Sequence, residues 1–461
     1  MEYREPSGEP PGGMPTPPNA PPGRGRRSAL PGRGGAAVGA PDPTAPATPG
    51  PTAPAAPVPT APAAPGATAP PGYRDLLSRE LLLWALLALT SKAPVAMAPL
   101  ALVFLSRQGP GGYTLGAGLA AAYVVGEVVG APLLGARLRP GRIRRKLSAG
   151  LLAGALAFGA LPLARSAPSP VLVVLAFLAG ATPGACPGGI RAVLTRLVAD
   201  GLVTRALSAE AVLTQLIWAV APGLVVFLAL QVHPAGPLVL GALLAATAAL
   251  LLFRLPEPQA GEPAAPAAAP TARTLLSAWP VYLTGAAAMA MLATAELVLP
   301  ALLEDRHIPV SWSGPLLAGF ALASAVGAFC YGLRTWPGSA RVQSLVFLVA
   351  TAACICPISL LPSLPGIATG LLLAGVFQSG AMVTRSLTLR ECLPEHTHAA
   401  AYSVMYAVGG VGYSLTATLS AVALNRATPS AALLAGATIT LLATAVSAIA
   451  ERGTPTRASG P

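Results

Sequence analysis

Two opposite charges lie deep inside neighbouring apolar stretches of the sequence. Lys92 is about twelve residues into the stretch 81–105, and Glu127 is about thirteen residues into the stretch 115–134. At ~1.5 Å per helical residue, both reach a similar depth near the centre of a bilayer. A lone charge in hydrocarbon is costly, so the two are expected to pair. The pair is either a proton or substrate site that changes partners or a fixed structural bridge.

Glu296 is a second candidate, in the outer half of the apolar stretch 280–303. No cation lies at a matching depth in that stretch. An isolated carboxyl group in a membrane favours its neutral form, which predicts a proton carrier or a contact for a cationic substrate. The alternative is a solvated and inert residue at the outer mouth.

Several charges and polar groups lie close to the ends of apolar stretches or along them. The charged set comprises Arg142, Arg145, Arg191, Glu210 and Arg385. It is interpreted as a cytoplasmic gate in which Glu210 pairs with Arg191 or Arg196. The alternative is that the arginines only set the orientation of the chain in the membrane. The polar set either lines a cavity or makes helix-packing contacts: Gln215, Trp218, Gln378, Thr384, Tyr402 and Tyr406. Gly126 and Gly130, four residues apart, predict close helix packing.

The elements that carry these residues are membrane helices. The chain is 54% hydrophobic and 10% charged, whereas a soluble domain averages about 25% charged residues. Twelve apolar segments approach the ~20 residues that span a bilayer. They are 81–105, 115–134, 147–163, 170–194, 207–230, 237–253, 280–303, 313–333, 342–361, 366–388, 399–424 and 431–450. This pattern predicts an all-α membrane protein with twelve transmembrane helices in two six-helix bundles.

The distribution of basic residues predicts orientation. With both chain ends in the cytoplasm, 24 of the 29 Lys and Arg residues fall on the cytoplasmic side, as the positive-inside rule requires. The predicted divisions are a disordered Pro/Ala/Gly-rich tail (1–72), a first bundle (73–253), a cytoplasmic linker (254–279), a second bundle (280–451) and a C-terminal tail (452–461). The Arg- and Ala-rich composition suggests a GC-rich bacterial genome, as in actinobacteria, and hence the bacterial cell membrane.

The two predicted bundles resemble each other in sequence. Gly180 followed by Arg191 and Arg196 matches Gly375 followed by Arg385 and Arg390, with a slip of one residue. A duplicated six-helix unit places the substrate between its halves, near the middle of the membrane.

Several functional classes lack support in the sequence. Basic residues are not interleaved with aromatic ones in a way that would stack nucleic-acid bases. The spacing of the five cysteines provides no second ligand pair for zinc, so no metal site is expected. No nucleophile elbow or phosphate-binding loop is present, so neither an enzyme nor a cofactor is expected. A multispanning scaffold or enzyme stays as the alternative from another class.

With two sets of six segments, a linker and a repeat, the chain resembles the major facilitator superfamily of secondary transporters from about Arg74 to Glu451. Residues 135–145 (GARLRPGRIRR) resemble the superfamily's loop between helices two and three, with Arg139 where an Asp is usual. The segment from Ala206 to Gly223 is similar to helix five of proton-coupled exporters, with Ala221 in place of a Gly before Pro222.

This resemblance implies a monomeric secondary transporter of a small organic molecule, driven by protons and without a cofactor. It favours efflux by antiport over the alternative, a proton-linked importer of a metabolite. The lipid bilayer, the substrate and protons are its expected partners.

Overall fold

The structure is a computed structural model that describes residues 72–107, 112–139, 141–255 and 271–452. Almost all of the predicted tail (1–72), most of the predicted linker (254–279) and residues 453–461 lie outside the described residues. Residues 72–255 are called the first half below, and residues 271–452 the second half. In both halves the described secondary structure is helical.

The first half contains seven α-helices among its described residues. They are α1 (Arg79–Ser106), α2 (Gly112–Gly135), α3 (Ile143–Leu163), α4 (Ser169–Ala181), α5 (Cys186–Leu197), α6 (Val203–Phe227) and α7 (Gly236–Leu251). A π-helical turn, Leu228–Val232, extends α6. Short 3-10 turns, Tyr73–Leu76 and Asp200–Leu202, precede α1 and α6.

The described part of the second half also contains seven α-helices. They are α8 (Ala272–Leu276), α9 (Trp279–Asp305), α10 (Ser313–Leu333), α11 (Ala340–Ile358), α12 (Leu364–Cys392), α13 (His398–Arg426) and α14 (Pro429–Arg452). The 3-10 turns Val310–Trp312 and Glu395–Thr397 precede α10 and α13.

Eleven helical segments of the described chain are long and apolar enough to cross a membrane. The twelfth predicted segment corresponds to α7, which is apolar but has only 16 residues, against the ~20 that span a bilayer. Large aliphatic side chains such as Leu156, Leu163 and Ile449 lie exposed on the helices, as expected for a surface that contacts lipid. These features confirm the predicted all-α membrane fold.

The fourth predicted segment is interrupted, which the sequence prediction of an unbroken helix missed. α4 ends at Ala181 and α5 begins at Cys186, and together they form one span, Ser169–Leu197. Pro183 lies in the interruption and has no N–H to continue the helical hydrogen bonds. The turn is closed instead by Gly184 N–H donating to Ala181 C=O and Cys186 N–H donating to Pro183 C=O. The corresponding helix of the second half, α12, is continuous.

Glycine on both partners allows α2 and α4 to approach closely. A methyl group on Gly126 would overlap the carbonyl oxygen of Phe177, and one on Gly130 would overlap that of Ala181. In the reverse direction, a methyl group on Gly180 would overlap the carbonyl oxygen of Tyr123. The predicted packing role of Gly126 and Gly130 is confirmed.

The hydrophobic core is organised differently at the two ends of the molecule. We call the end at which α1 begins and α14 ends the basic end, because the turn with Arg137 to Lys146 lies there. At this end, one buried cluster joins both halves and includes Trp84 and Tyr402. At the opposite end, the described buried residues form two separate clusters, around Phe158 in the first half and Phe320 in the second. The halves are therefore packed together at the basic end and have separate cores at the other.

Candidate transport site and gate

Three charged residues of the first half form a buried ion cluster, the first triad. Glu210 on α6 accepts from Lys92 Nζ at 2.7 Å through Oε1 and from Arg191 Nε at 2.7 Å through Oε2. Lys92 Nζ also donates to Thr214 Oγ1 at 2.8 Å. The Glu210 side chain is 2% exposed, that of Lys92 11% and that of Arg191 22%. The carboxylate is thus enclosed, while its two cations keep some access to the space beside it.

The predicted ion pair between Lys92 and Glu127 does not form. Lys92 extends towards α6, and Glu127 lies against α13 of the second half. Counting residues along a helix fixes the depth of a side chain but not the direction in which it points. Of the two partners expected for Glu210, the structure selects Arg191.

Glu127 lies where the two halves meet. Its Oε1 accepts hydrogen bonds from Tyr123 Oη at 3.1 Å, one turn earlier on α2, and from Tyr406 Oη at 3.4 Å, on α13. The residue is half-buried, and no cation of the described chain lies within ion-pairing distance of its carboxylate. Glu127 is therefore a carboxyl group held by hydroxyl donors from both halves.

Glu296 has a similar partner but in a different place. Tyr413 Oη on α13 donates to its Oε2 at 2.9 Å, so both residues belong to the second half. The Glu296 side chain is half-buried. Its hydrogen bond does not cross between halves.

At the basic end, polar contacts cross between the halves in two layers. In the inner layer, Arg191 Nη1 donates to Ser386 Oγ at 3.4 Å, and the Arg191 guanidinium lies 5.7 Å from the centre of the Tyr402 ring. The outer layer contains two ion pairs: Arg196–Glu395 at 3.3 Å and Arg390–Asp200 at 2.7 Å. Each of these pairs joins one half to the other.

We call the two outer ion pairs the reciprocal pairs. Arg196 and Arg390 are the residues that match in the sequence repeat, and each contacts an acid that follows its counterpart in the other half. Because all four side chains are at least partly exposed, each pair contributes only ~0.2–1 kcal/mol.

A profile of the Major Facilitator Superfamily matches residues 84–342, which is more than half of the chain. The chain belongs to this superfamily. It is a multi-pass membrane transporter and not an enzyme, and it acts in a lipid bilayer on small-molecule substrates. The predicted resemblance is confirmed. Comparison with curated protein sequences gave no match.

Solved structures with the same fold include three transporters. The human organic anion transporter MFSD10 (TETRAN) has a TM-score of 0.68 at 16% identity, covering 80% of this chain and 99% of that one. A bacterial homologue of the iron transporter ferroportin, outward-facing with soaked iron, gives 0.64 at 16% identity, covering 81% and 98%. A variant of the E. coli fucose:proton symporter FucP gives 0.60 at 15% identity, covering 81% and 99%. At these identities the similarity is one of fold.

Arg385, a predicted gate residue, lies inside the second half of this superfamily member. Its Nη1 donates to Glu451 Oε1 at 3.0 Å, and Arg341 Nε lies 3.3 Å from Glu451 Oε2. The Arg385 side chain is 0% exposed. We call Arg341, Glu451 and Arg385 the second triad. Its three members lie on α11, α12 and α14, all in the second half.

The other predicted gate and cavity residues do not come together in one cluster. Arg142 and Arg145 are exposed at the basic end, and their side chains make no hydrogen bond or ion pair with the described residues. Gln378 donates to the Ala288 carbonyl at 2.7 Å, and Thr384 donates to that of Gly380 at 2.7 Å, so both serve packing in the second half. Gln215 is half-buried on α6, and Trp218 on the same helix is 50% exposed.

Sequence reasoning missed several members of these clusters. Tyr123 was detectable, because it precedes Glu127 by one helical turn. Asp200 and Glu395 follow the repeated arginines by four and five residues, which the repeat could have revealed. Tyr413, Ser386 and Thr214 have no distinguishing signal in one sequence. In the described part of the chain, no group of three or more His, Cys, Asp or Glu residues suits a metal ion.

Proposed function

We propose that this protein is a proton-coupled secondary transporter that exports a small organic molecule by alternating access, acting as a monomer. The observation that carries the proposal is Glu127, a half-buried carboxyl group between the halves that is held by Tyr123 and Tyr406. Export rests on the likeness of residues 206–223 to helix five of proton-coupled exporters.

The division of the hydrophobic core supports alternating access. The halves share one cluster at the basic end and have separate clusters at the opposite end. In this proposal, residues 73–253 and 280–451 are the two bundles that rock, residues 254–279 link them, and the basic end faces the cytoplasm. The conformation is then outward-facing, with the cytoplasmic side closed by the first triad and the reciprocal pairs.

Glu127 is suited to bind and release the coupling proton. When ionised, its carboxylate is stabilised by two hydroxyl donors, one from each half. When the halves separate on the cytoplasmic side, the Tyr406 contact must break, because α2 and α13 belong to different halves. A proton on Glu127 replaces the lost stabilisation by removing the charge. Protonation and the change of access are thereby linked. Glu296, whose tyrosine moves with it, is proposed as a second protonation site.

The first triad is proposed to contact the substrate as well as the gate. Lys92 and Arg191 share a single carboxylate, so the cluster carries an excess of one positive charge. Both side chains are partly exposed, 11% for Lys92 and 22% for Arg191. A polar or anionic group on the substrate would find unused donors there, since an ammonium has three N–H groups and a guanidinium five.

Everted membrane vesicles with an imposed pH gradient test the proposal. A panel of amphiphilic compounds is screened for those that dissipate the gradient in wild-type vesicles but not in vesicles without the protein. Glu127→Gln is expected to abolish this dissipation, with Glu296→Gln giving a smaller loss. Glu304→Gln, an exposed acid on α9, is the matched control. Dissipation that persists unchanged in Glu127→Gln would refute proton coupling at this residue.

A further inference from the structure

A groove opens at the basic end between the end of α2, the start of α3 and the interruption of the fourth span. Its volume is about 270 Å³, and its walls are mainly apolar, with Leu134, Leu147 and Ala153 among the lining residues. It shares no residue with the first triad, the reciprocal pairs or the Glu127 site. The groove is therefore separate from the proposed transport path.

The floor of the groove is closed by tight packing. A methyl group on Gly150 would overlap the carbonyl oxygen of Thr182, so α3 lies directly against the interrupted segment. The Thr182 hydroxyl donates to the Leu178 carbonyl oxygen at 2.9 Å, and Cys186 is 3% exposed. The polar groups of the interruption are thus partly satisfied within the protein, and the groove offers hydrocarbon contacts.

The rim of the groove is positively charged. Arg137 and Lys146 line it, and Lys146 Nζ donates to the Arg137 carbonyl oxygen. The Arg137 side chain is exposed and forms no ion pair with a described residue. The sequence contains no acidic residue between Glu127 and Asp200, so nothing in this stretch neutralises the rim.

We propose that this groove binds an anionic phospholipid. An acyl chain packs against Leu134, Leu147 and Ala153, and the phosphate lies between Arg137 and Lys146. The basic turn marks the depth of the lipid headgroups, and an apolar groove with a cationic rim at that depth complements a lipid with an anionic headgroup. A zwitterionic lipid has no net charge to offer the two cations, so the site discriminates by headgroup.

Lipid retention measured by native mass spectrometry tests the proposal. The full chain is purified from nanodiscs that contain phosphatidylcholine and phosphatidylglycerol, and bound lipid is counted. Wild type is expected to retain one phosphatidylglycerol. Arg137→Gln combined with Lys146→Gln should weaken this retention about tenfold to thirtyfold, because each surface cation contributes about 1 kcal/mol towards an anionic membrane lipid. Arg273→Gln combined with Arg334→Gln removes the same charge from exposed positions elsewhere at the basic end and should retain the lipid.

A second variant tests the apolar part of the site without altering charge. Ala153→Trp fills the groove and should exclude the lipid, whereas Leu156→Trp, on the same helix at a position 75% exposed, should not. Equal retention in the groove variants and in their controls would overturn the proposal. So would retention of phosphatidylcholine as strongly as phosphatidylglycerol by wild type.

Discussion

Each half of the molecule contains one buried glutamate that holds two cations. The two sets are Lys92–Glu210–Arg191 and Arg341–Glu451–Arg385. Both sets combine one carboxylate with two cations, and each contains one of the two arginines that correspond in the sequence repeat, Arg191 or Arg385. They differ in position, because the first triad contacts the opposite half through Arg191, whereas the second is enclosed within its own half. A duplicated arginine thus contacts the opposite half in one copy and joins helices of its own half in the other.

The helices that carry Arg191 and Arg385 also differ, because only the first is interrupted. Arg191 follows the interruption at residues 182–185, whereas Arg385 lies on the continuous α12. An interruption in a helix resets the direction of every side chain that follows it. In line with this, Arg191 lies over the Tyr402 ring, and Arg385 points towards α14. The outer arginines of the repeat, Arg196 and Arg390, have both kept contacts that cross between the halves.

The largest effect on stability is expected from Glu451→Gln. This change leaves Arg385, which is 0% exposed, without its buried counter-charge, and breaking a buried pair in this way costs about 3–5 kcal/mol. Thermal unfolding in detergent measures the loss. Combining Arg385→Met with Glu451→Gln should recover part of it, because the fully buried cation is then gone and only Arg341, which is 17% exposed, lacks its counter-charge. A Tm equal to that of the exposed-acid control Glu304→Gln would contradict a structural role for the second triad.

Glu210→Gln should have the opposite balance, with a large effect on transport and a smaller one on stability. Its cations are 11% and 22% exposed, and Lys92 keeps its bond to Thr214. The stranded charges are therefore partly solvated, and the expected loss is about 1–3 kcal/mol. Flux in vesicles should fall at least tenfold at equal amounts of folded protein. Flux equal to that of wild type would show that the first triad takes part neither in the gate nor in substrate binding.

The sequence predicted the helices well and the contacts between them poorly. Hydropathy and length locate the spans, because every backbone polar group in a bilayer must be satisfied within a helix. The partner of Lys92 depended on the rotation of α1 and α6, which apolar stretches with little periodicity do not specify. The repeat identified Arg191, Arg196, Arg385 and Arg390 as corresponding residues, but it carried no sign that Arg385 would be enclosed.

The reciprocal pairs should contribute moderately to closure of the basic end. Arg196→Glu together with Arg390→Glu replaces two attractions with two repulsions, a change of about 2 kcal/mol between exposed groups. The population open at the basic end should rise about thirtyfold. Spin labels at the exposed positions Arg145 and Pro337, in a background with the five cysteines replaced, report the distance between the halves.

A charge swap provides the control for this experiment. Adding Asp200→Arg and Glu395→Arg to the double variant restores both pairs with reversed polarity, and the closed distance should return. High salt should shift wild type in the same direction but by less, because screening weakens the two attractions without creating repulsions. If the spin-label distance between the halves changes neither with the charge substitutions nor with salt, apolar packing alone closes this end.

The smallest effect is expected from single tyrosine hydroxyls, and it distinguishes the two candidate proton sites. Tyr406→Phe removes the hydrogen bond that reaches Glu127 from the other half, whereas Tyr413→Phe removes one that stays within the second half. Each bond is worth about 1 kcal/mol or less. Only the Tyr406 contact must break when the halves rock, so only its loss should change proton-coupled flux, by up to about fivefold. An equal change in both variants, measured as dissipation of an imposed pH gradient, would mean that the contact between halves has no special part in coupling.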